Sequence, residues 1–172
     1  KESPDLIYML NVTKPVEVCN ELKARDYEGI FVTFGSVFEI GETREKKLFT
    51  EDEILSSNAK APNDYTISKR MLSRFIQSYT HKYIHWHFII PTIYGPGENP
   101  KRLIPYTINA IRKNDNLHFT SGDQVRQYLF VEDVPKAIEL SIENKLPNGI
   151  YNIESPDIIS VKELVMLIHK LM

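Results

Sequence analysis

The chain has 172 residues, 42% of them hydrophobic and 26% charged, with a formal net charge of −2. That is the length of one ordinary globular domain. The composition excludes a disordered tail, and the charge balance excludes a nucleic-acid binder that relies on bulk positive potential.

The single cysteine, Cys19, cannot form an internal disulfide, so a reducing, cytoplasmic setting is expected. No apolar run reaches the ~20 residues needed to cross a membrane. A long uncharged stretch, residues 84–97, carries two His and two Pro. The opening KESPDLIYML does not read as a signal peptide, because an acid and a proline precede any apolar stretch.

Leu6, Leu10, Val16 and Leu22 recur at roughly helical spacing over residues 3–25. Pro15 interrupts this run. A proline inside a helix costs about 3 kcal/mol, so the helix is expected to kink or to restart near Pro15. GIFVTF (29–34) reads as a short buried strand. A polar segment, 41–63, exceeds ordinary loop lengths, and its Glu51, Asp52 and Glu53 are expected on a solvated loop face. Asn63 or Asp64 can cap the next helix, which is expected to run to about His81.

IHWHFII (84–90) reads as a strand that stops at Pro91, and YGPGENP (94–100) as a loop. LIPYTINAIRKN (103–114) reads as a helix, LHFT (117–120) as a short strand and QYLFV (127–131) as another. A helix from about Asp133 to Glu143 and a strand GIYNI (149–153) follow. Ser160, with Glu163 three residues on, has the pattern of a capping box opening a last helix. Strands alternate with helices, which predicts an α/β fold with a mainly parallel sheet. In such sheets ligands bind beyond the carboxyl ends of the strands. The segments after Phe34, Pro91 and Val131 are therefore the places to look for chemistry.

The strongest local pattern is YTISK, Tyr65 to Lys69. Four residues apart on a helix, the two side chains share a face. A tyrosine has an unperturbed pKa of about 10, and a neighbouring ammonium favours its phenolate. The pair can therefore serve as a general acid/base for a hydroxyl or carbonyl oxygen. A surface lysine beside a half-buried tyrosine is the bland alternative, and short motifs match by chance. His85 and His87 would share one face of a strand, but no acidic or Cys partner stands nearby, so no metal is expected. Strand positions facing water or a helix account for them. Tyr79, Tyr83 and Trp86 lack a basic groove and read as packing rather than base stacking.

Five stretches, in order and covering nearly the whole chain, resemble the extended short-chain dehydrogenase/reductases, also called the NAD-dependent epimerase/dehydratase family. NVTKP (11–15) resembles the family's Asn-Val-x-Gly-Thr helix, and VTFGSVFEIGE (32–42) its Ser-rich strand end. PNDYTISK (62–69) resembles Pro-x-x-x-Tyr-x-x-Ser-Lys, with the proline one residue nearer. PTIYGPGENPKRLIP (91–105) resembles the Asn-x-Tyr-Gly-Pro-Gly loop and its continuation. GDQVRQYLFVEDV (122–134) resembles Gly-x-x-x-Arg-Asp-x-x-x-Val-x-Asp.

The resemblance implies a partial Rossmann-like parallel sheet with helices, plus a small carboxyl-terminal substrate-binding part. Residues 1–95 would be the carboxyl-terminal half of the dinucleotide-binding domain. Residues 96–172 would bind a nucleotide sugar, interleaved with the remaining strands. Tyr65 would be the acid/base, and Lys69 would tune it and hold the nicotinamide ribose. Asn11 and Pro91 would touch the NAD or NADP. Thr92, Arg102, Leu103, His118, Phe119 and Arg126 would contact the substrate, with Arg126 on its pyrophosphate, which suits a planar guanidinium. The family's catalytic Ser or Thr position is Phe34 here. Thr33 lies one residue away and Ser36 two, and either can supply the hydroxyl. Ile89 and Thr92 replace the usual arginine and asparagine before Tyr-Gly.

The family opens with a strand, Gly-x-x-Gly-x-x-Gly and a helix, whose amino end receives the pyrophosphate. The only close glycine pair here, Gly95 and Gly97, flanks a proline. The chain is therefore expected to be a fragment that starts at about the family's fourth helix, with the cofactor bound weakly or not at all. The implied activity is hydride transfer between nicotinamide and a nucleotide sugar, to reduce, epimerise or dehydrate it. PYTINAI, TSGDQVRQYLFVEDV and YTISKR are most similar to the nucleotide-sugar 4-reductases. Gly35 and Ser36 stand where dehydratases carry Asp-Glu, which counts against dehydration. The alternative is a non-catalytic nucleotide-sugar-binding or dimerisation module. A homodimer is expected, because the family pairs its Tyr-x-x-x-Lys helix across a dimer and Met71, Leu72, Phe75, Ile76 and Tyr79 make that helix apolar on more than one side.

Overall fold

The computed structural model describes residues 3–43, 45–117 and 120–172. Its strands are β1 (Ile30–Ser36), β2 (Ile84–Ile90), β3 (Thr92–Tyr94), β4 (Val125–Phe130), β5 (Gly149–Asn152) and β6 (Ile158–Ser160). Its helices are α1 (Pro4–Tyr8), α2 (Lys14–Ala24), α3 (Glu51–Ser56), α4 (Asp64–Ser78), α5 (Leu103–Lys113), α6 (Asp133–Glu143) and α7 (Val161–Leu171). They fall into two compact units, Lys1–Ile90 with Ser141–Ile153, and Pro91–Leu140 with Glu154–Met172.

In the first unit β1, β2 and β5 form a parallel sheet in the order β1-β2-β5. The central strand β2 is buried on both faces: His85, Trp86, His87, Phe88 and Ile89 are all 3% exposed or less. That suits a parallel sheet covered by helices, where strands read as near-continuous apolar runs. The Trp86 indole N–H is satisfied by the Leu146 and Pro147 carbonyls, both at 3.1 Å. Helix α4 packs on β1, and the amino-terminal helices pack on α4.

Those helices show how Pro15 is accommodated. A five-residue π-helical turn, Met9–Thr13, separates α1 from α2, and Pro15 falls in the first turn of α2. There its missing N–H is not needed, so the helix restarts near Pro15. The 41–63 segment is not wholly loop, because α3 lies within it. Thr50 and Glu53 close a capping box on α3, and Glu51 accepts the Asn152 N–H at 2.8 Å. Acidic residues in a first helical turn are favoured by the helix dipole, so Glu51 anchors and Glu53 caps, while Asp52 faces solvent as expected. Asn63 caps α4, accepting the Thr66 N–H at 2.9 Å, and α4 ends at Ser78.

In the second unit β3 pairs parallel with β4, and β6 pairs antiparallel with β4. β3 and β6 have three residues each, too few for a periodic pattern to announce them. Helices α5 and α7 pack together. α5 ends on Asn114 in the left-handed region (φ 58°), and Ser160 and Glu163 close the expected capping box on α7. Among the described residues no helix is long and apolar enough to cross a membrane.

Candidate acid–base site

Tyr65 and Lys69 stand one turn apart on α4, with Lys69 Nζ 5.8 Å from the centre of the Tyr65 ring. Tyr65 is 39% exposed. Lys69 Nζ donates to the Phe34 carbonyl oxygen at 2.8 Å, so the ammonium is tied to the carboxyl end of β1. Burial pushes the Lys69 pKa below the ordinary lysine range, and the charge of Glu39 opposes that. Asn11, on the π-helical turn, donates from Nδ2 to Ser68 Oγ at 3.0 Å. Ser68 Oγ in turn donates to the Tyr65 carbonyl at 2.8 Å. Tyr8 donates to Asp64 at 3.1 Å, further fastening the amino-terminal helices to α4.

The two candidate hydroxyls have different surroundings. Thr33 is 7% exposed, and its Oγ1 lies 2.8 Å from both His85 Nε2 and His87 Nδ1. His87 Nε2 lies 2.8 Å from Ser73 Oγ of α4. Thr33 therefore points to the helix-covered face, with its hydroxyl occupied. Ser36 is three residues further along, so alternation turns it to the other face. It is 3% exposed and caps a 3-10 turn, Val37–Ile40. Its Oγ accepts the Phe38 N–H at 3.3 Å.

Sequence reading missed Glu39, which closes that turn. The Glu39 carboxylate is 1% exposed and accepts the Ser36 N–H at 2.7 Å. The spacing Ser36-x-x-Glu39 is itself a capping-box pattern, the signal that could have found it. Arg70 holds the same turn from α4, donating to the Glu39 carbonyl and, at 2.7 Å, to the Ala59 carbonyl. His85 and His87 are buried against α4 and Tyr83, and burial first, then neighbouring positive charge, pushes their pKa values down to about 4 and about 3. Tyr83 and Trp86 pack in the core.

The second unit holds the remaining candidates. Pro91 is buried, and Thr92 on β3 lies opposite Tyr128 of β4. Arg102 precedes α5, which begins at Leu103, without a capping side-chain bond, and pairs with Glu98 at 3.0 Å. Arg126 lies on β4 and donates to the Val125 carbonyl at 3.1 Å. Arg126 and Arg102 both act on Tyr128: burial pushes its pKa up, and the two guanidinium charges pull it back. The two arginines thus share a neighbourhood centred on a tyrosine that sequence reading did not single out. His118 and Phe119 lie outside the described residues.

The sequence pattern of the NAD dependent epimerase/dehydratase family matches residues 1–153. The chain belongs to this family. The dTDP-D-glucose 4,6-dehydratase of Homo sapiens is 34% identical over 127 residues, covering 69% of this chain and 36% of that protein. The CDP-abequose synthase of Yersinia pseudotuberculosis is 23% identical over 174 residues, covering 98% of this chain and 57% of that protein. Among solved structures, a Bacillus anthracis dTDP-glucose 4,6-dehydratase in complex with NAD superposes with a TM-score of 0.80 at 22% identity, covering 99% of this chain and 55% of that one. The chain spans little more than half of the longest-covered of these relatives and about a third of the human one. The superposition establishes the Rossmann-like α/β fold that the strand–helix alternation predicts.

The residues of this family member fit one end of a dinucleotide. A half-buried ammonium and an exposed phenol on one helical face suit the hydroxyls of a nicotinamide ribose. The pyrophosphate end is not matched among the described residues: the close pair Gly95 and Gly97 lies in the turn after β3, and no described residues form a glycine-rich strand-to-helix turn.

Proposed function

We propose that this chain carries the acid–base machinery and the nucleotide-sugar grip of a nicotinamide-dependent nucleotide-sugar reductase or epimerase. The observation that carries this is Tyr65 and Lys69 on one face of α4, with Lys69 Nζ bonded to the Phe34 carbonyl at the carboxyl end of β1. The Bacillus anthracis structure is a complex with NAD, and the human and Yersinia relatives are named for dTDP- and CDP-linked compounds, which supports a nucleotide-sugar substrate.

In this reading the Tyr65 hydroxyl gives or takes the proton on a sugar oxygen, and Lys69 stabilises the phenolate side of that exchange. Nicotinamide, when bound, supplies hydride transfer at the attached carbon. Ser36 is favoured over Thr33 as the assisting hydroxyl, because Thr33 is committed to two imidazoles. Asn11, through Ser68, steadies the backbone carrying Tyr65. Pro91 and Thr92 follow the end of β2, where the family meets cofactor and sugar. Arg126 and Arg102 hold the substrate's diphosphate, with Leu103 beside them; planar, permanently charged forks match phosphate oxygens.

Reduction or epimerisation is favoured over dehydration. Positions 35 and 36 carry no carboxylate, and a Cβ at Gly35 would sit 2.7 Å from both Glu39 Oε1 and His87 Nε2, so no acidic side chain fits there. A homodimer and a cytoplasmic setting complete the reading, as does weak NAD or NADP binding by this chain alone. The test follows reduced nicotinamide while the intact protein is given 4-keto and 4-hydroxy nucleotide sugars. Consumption with a 4-keto sugar, or interconversion of 4-epimers, supports the reading. Loss of the sugar's 6-hydroxyl as water overturns the preference against dehydration.

A further inference from the structure

A chain of buried polar groups runs from the middle of β2 to the turn after β1. It links His85 Nε2 to Thr33 Oγ1, Thr33 Oγ1 to His87 Nδ1, and His87 Nε2 to Ser73 Oγ, each at 2.8 Å. Ser73 stands next to the Glu39 carboxylate and acts on it as a donor. Glu39 also lies near His87: a Cβ at Gly35 would meet both Glu39 Oε1 and His87 Nε2 at 2.7 Å.

The direction of the chain follows from one atom. His85 Nδ1 is buried and has no hydrogen-bond partner among the described residues. A buried N–H left without an acceptor is rarer and costlier than an unused lone pair. Nδ1 therefore carries the lone pair, and the proton of the neutral ring sits on Nε2. His85 Nε2–H then donates to Thr33. The Thr33 hydroxyl has one proton and passes it to His87 Nδ1, so the His87 proton also sits on Nε2 and donates to Ser73. The Ser73 proton is left for Glu39. Every donor points the same way, and the carboxylate collects the Ser73 hydroxyl and the Ser36 N–H.

We propose that Glu39 is a positioning residue of the acid–base site: as terminal acceptor of this one-way chain it holds the Ser36 turn in place. This rests on the acid–base reading of Tyr65 and Lys69. The charged or titratable groups facing Glu39 are Lys69 and Arg70 from α4, with His87 of β2 beyond Ser73. Burial raises the Glu39 pKa, while the two donors and the two cations pull it back toward the anion. In exchange, the Glu39 charge offsets the burial that discourages protonation of Lys69.

The test has two parts, both on the intact protein. Long-range proton–nitrogen spectra of the imidazoles near neutral pH should show His85 and His87 as neutral Nε2–H tautomers. An Nδ1–H tautomer at either ring overturns the proposal. Glu39→Gln, assayed beside Tyr65→Phe, should lower kcat about tenfold with KM unchanged and move the alkaline limb of the kcat profile to lower pH, because Lys69 loses a supporting charge. Ser73→Ala, a milder break in the same chain, should lower kcat less and leave that limb in place, because Glu39 keeps its charge at alkaline pH. If Tyr65→Phe abolishes turnover while Glu39→Gln keeps the wild-type kcat and pH profile, the proposal is wrong and the acid–base reading stands. If Tyr65→Phe is itself near normal, the acid–base reading fails, and the positioning proposal fails with it.

Discussion

Lys69 Nζ donates to the Phe34 carbonyl at 2.8 Å, which ties the helix bearing Tyr65 to the end of the strand bearing Ser36. By the resemblance in sequence, Phe34 would stand where the family places a hydroxyl residue. The backbone carbonyl is available whatever the side chain, so the tie survives the substitution, and the search for the hydroxyl moves to Ser36 or Thr33.

Those two separate by mutation. Ser36→Ala should lower kcat with only the modest loss of stability of a removed cap, about 0.5–2 kcal/mol, since its Oγ caps the Val37–Ile40 turn. Thr33→Val should instead cost mainly stability, because it strands two buried imidazole nitrogens. Each unsatisfied buried group costs about 1–3 kcal/mol, so the urea midpoint should fall clearly. Equal loss of kcat in both variants would contradict the assignment.

Stability should fall in mild acid. His85 and His87 have folded-state pKa values of about 4 and about 3, against an ordinary value of 6.5. Below pH 6.5 the unfolded chain binds protons that the folded chain refuses, so their stabilising contribution is full above that pH. It is lost progressively as pH falls toward 4 and then 3, by on the order of several kcal/mol. Glu39 acts in the opposite sense above its ordinary value of 4.5, because burial raises its folded pKa. Chemical unfolding at pH 7.5, 6.5 and 5.5 should therefore show a steady decline, and His87→Gln should flatten it. A flat profile in the wild type would contradict the buried-neutral description.

The proposed substrate grip lies in the second unit. Arg126→Ala should raise KM with little change in kcat, and Arg102→Ala should do so to a smaller degree, since Arg102 is already paired with Glu98. Hydrogen bonds to charged groups contribute about 1.5–3 kcal/mol, so a rise of about 10- to 100-fold is expected for Arg126. Michaelis constants for the two variants check this, and an unchanged KM for Arg126→Ala would remove it from the site.

The outer face of α4 should form the dimer. Leu72 and Ile76 are 2% and 8% exposed and belong to the core, whereas Ile67 and Met71 are 39% and 47% exposed. Sedimentation equilibrium should give a dimer at micromolar concentration, and a double change of Ile67 and Met71 to Glu should give a monomer. A wild-type monomer would rule the dimer out.

Much of the frame was legible in the chain. β2, α4, α6 and the capping box of α7 are long or strongly signalled, and their side-chain periods survive burial. α3 was hidden by its polarity, although Thr50-x-x-Glu53 spelled its cap. β3 and β6 have three residues each and depend on their neighbours to be strands at all. At the site, helical spacing puts Tyr65 and Lys69 on one face, but it is the resemblance to the family that singles the pair out. Glu39 is not singled out in this way, because its importance comes from burial between α4 and the β1 turn. The direction of the histidine chain is likewise a property of packed neighbours, and a lone sequence shows only that the two rings share a face.

The most direct test is the turnover of Tyr65→Phe in the intact protein. The substitution keeps the ring and removes only the hydroxyl. General acid–base catalysis contributes about 10²–10⁴-fold, so kcat should fall by about that factor while KM changes little. Near-normal turnover would contradict the account and leave a binding module in its place.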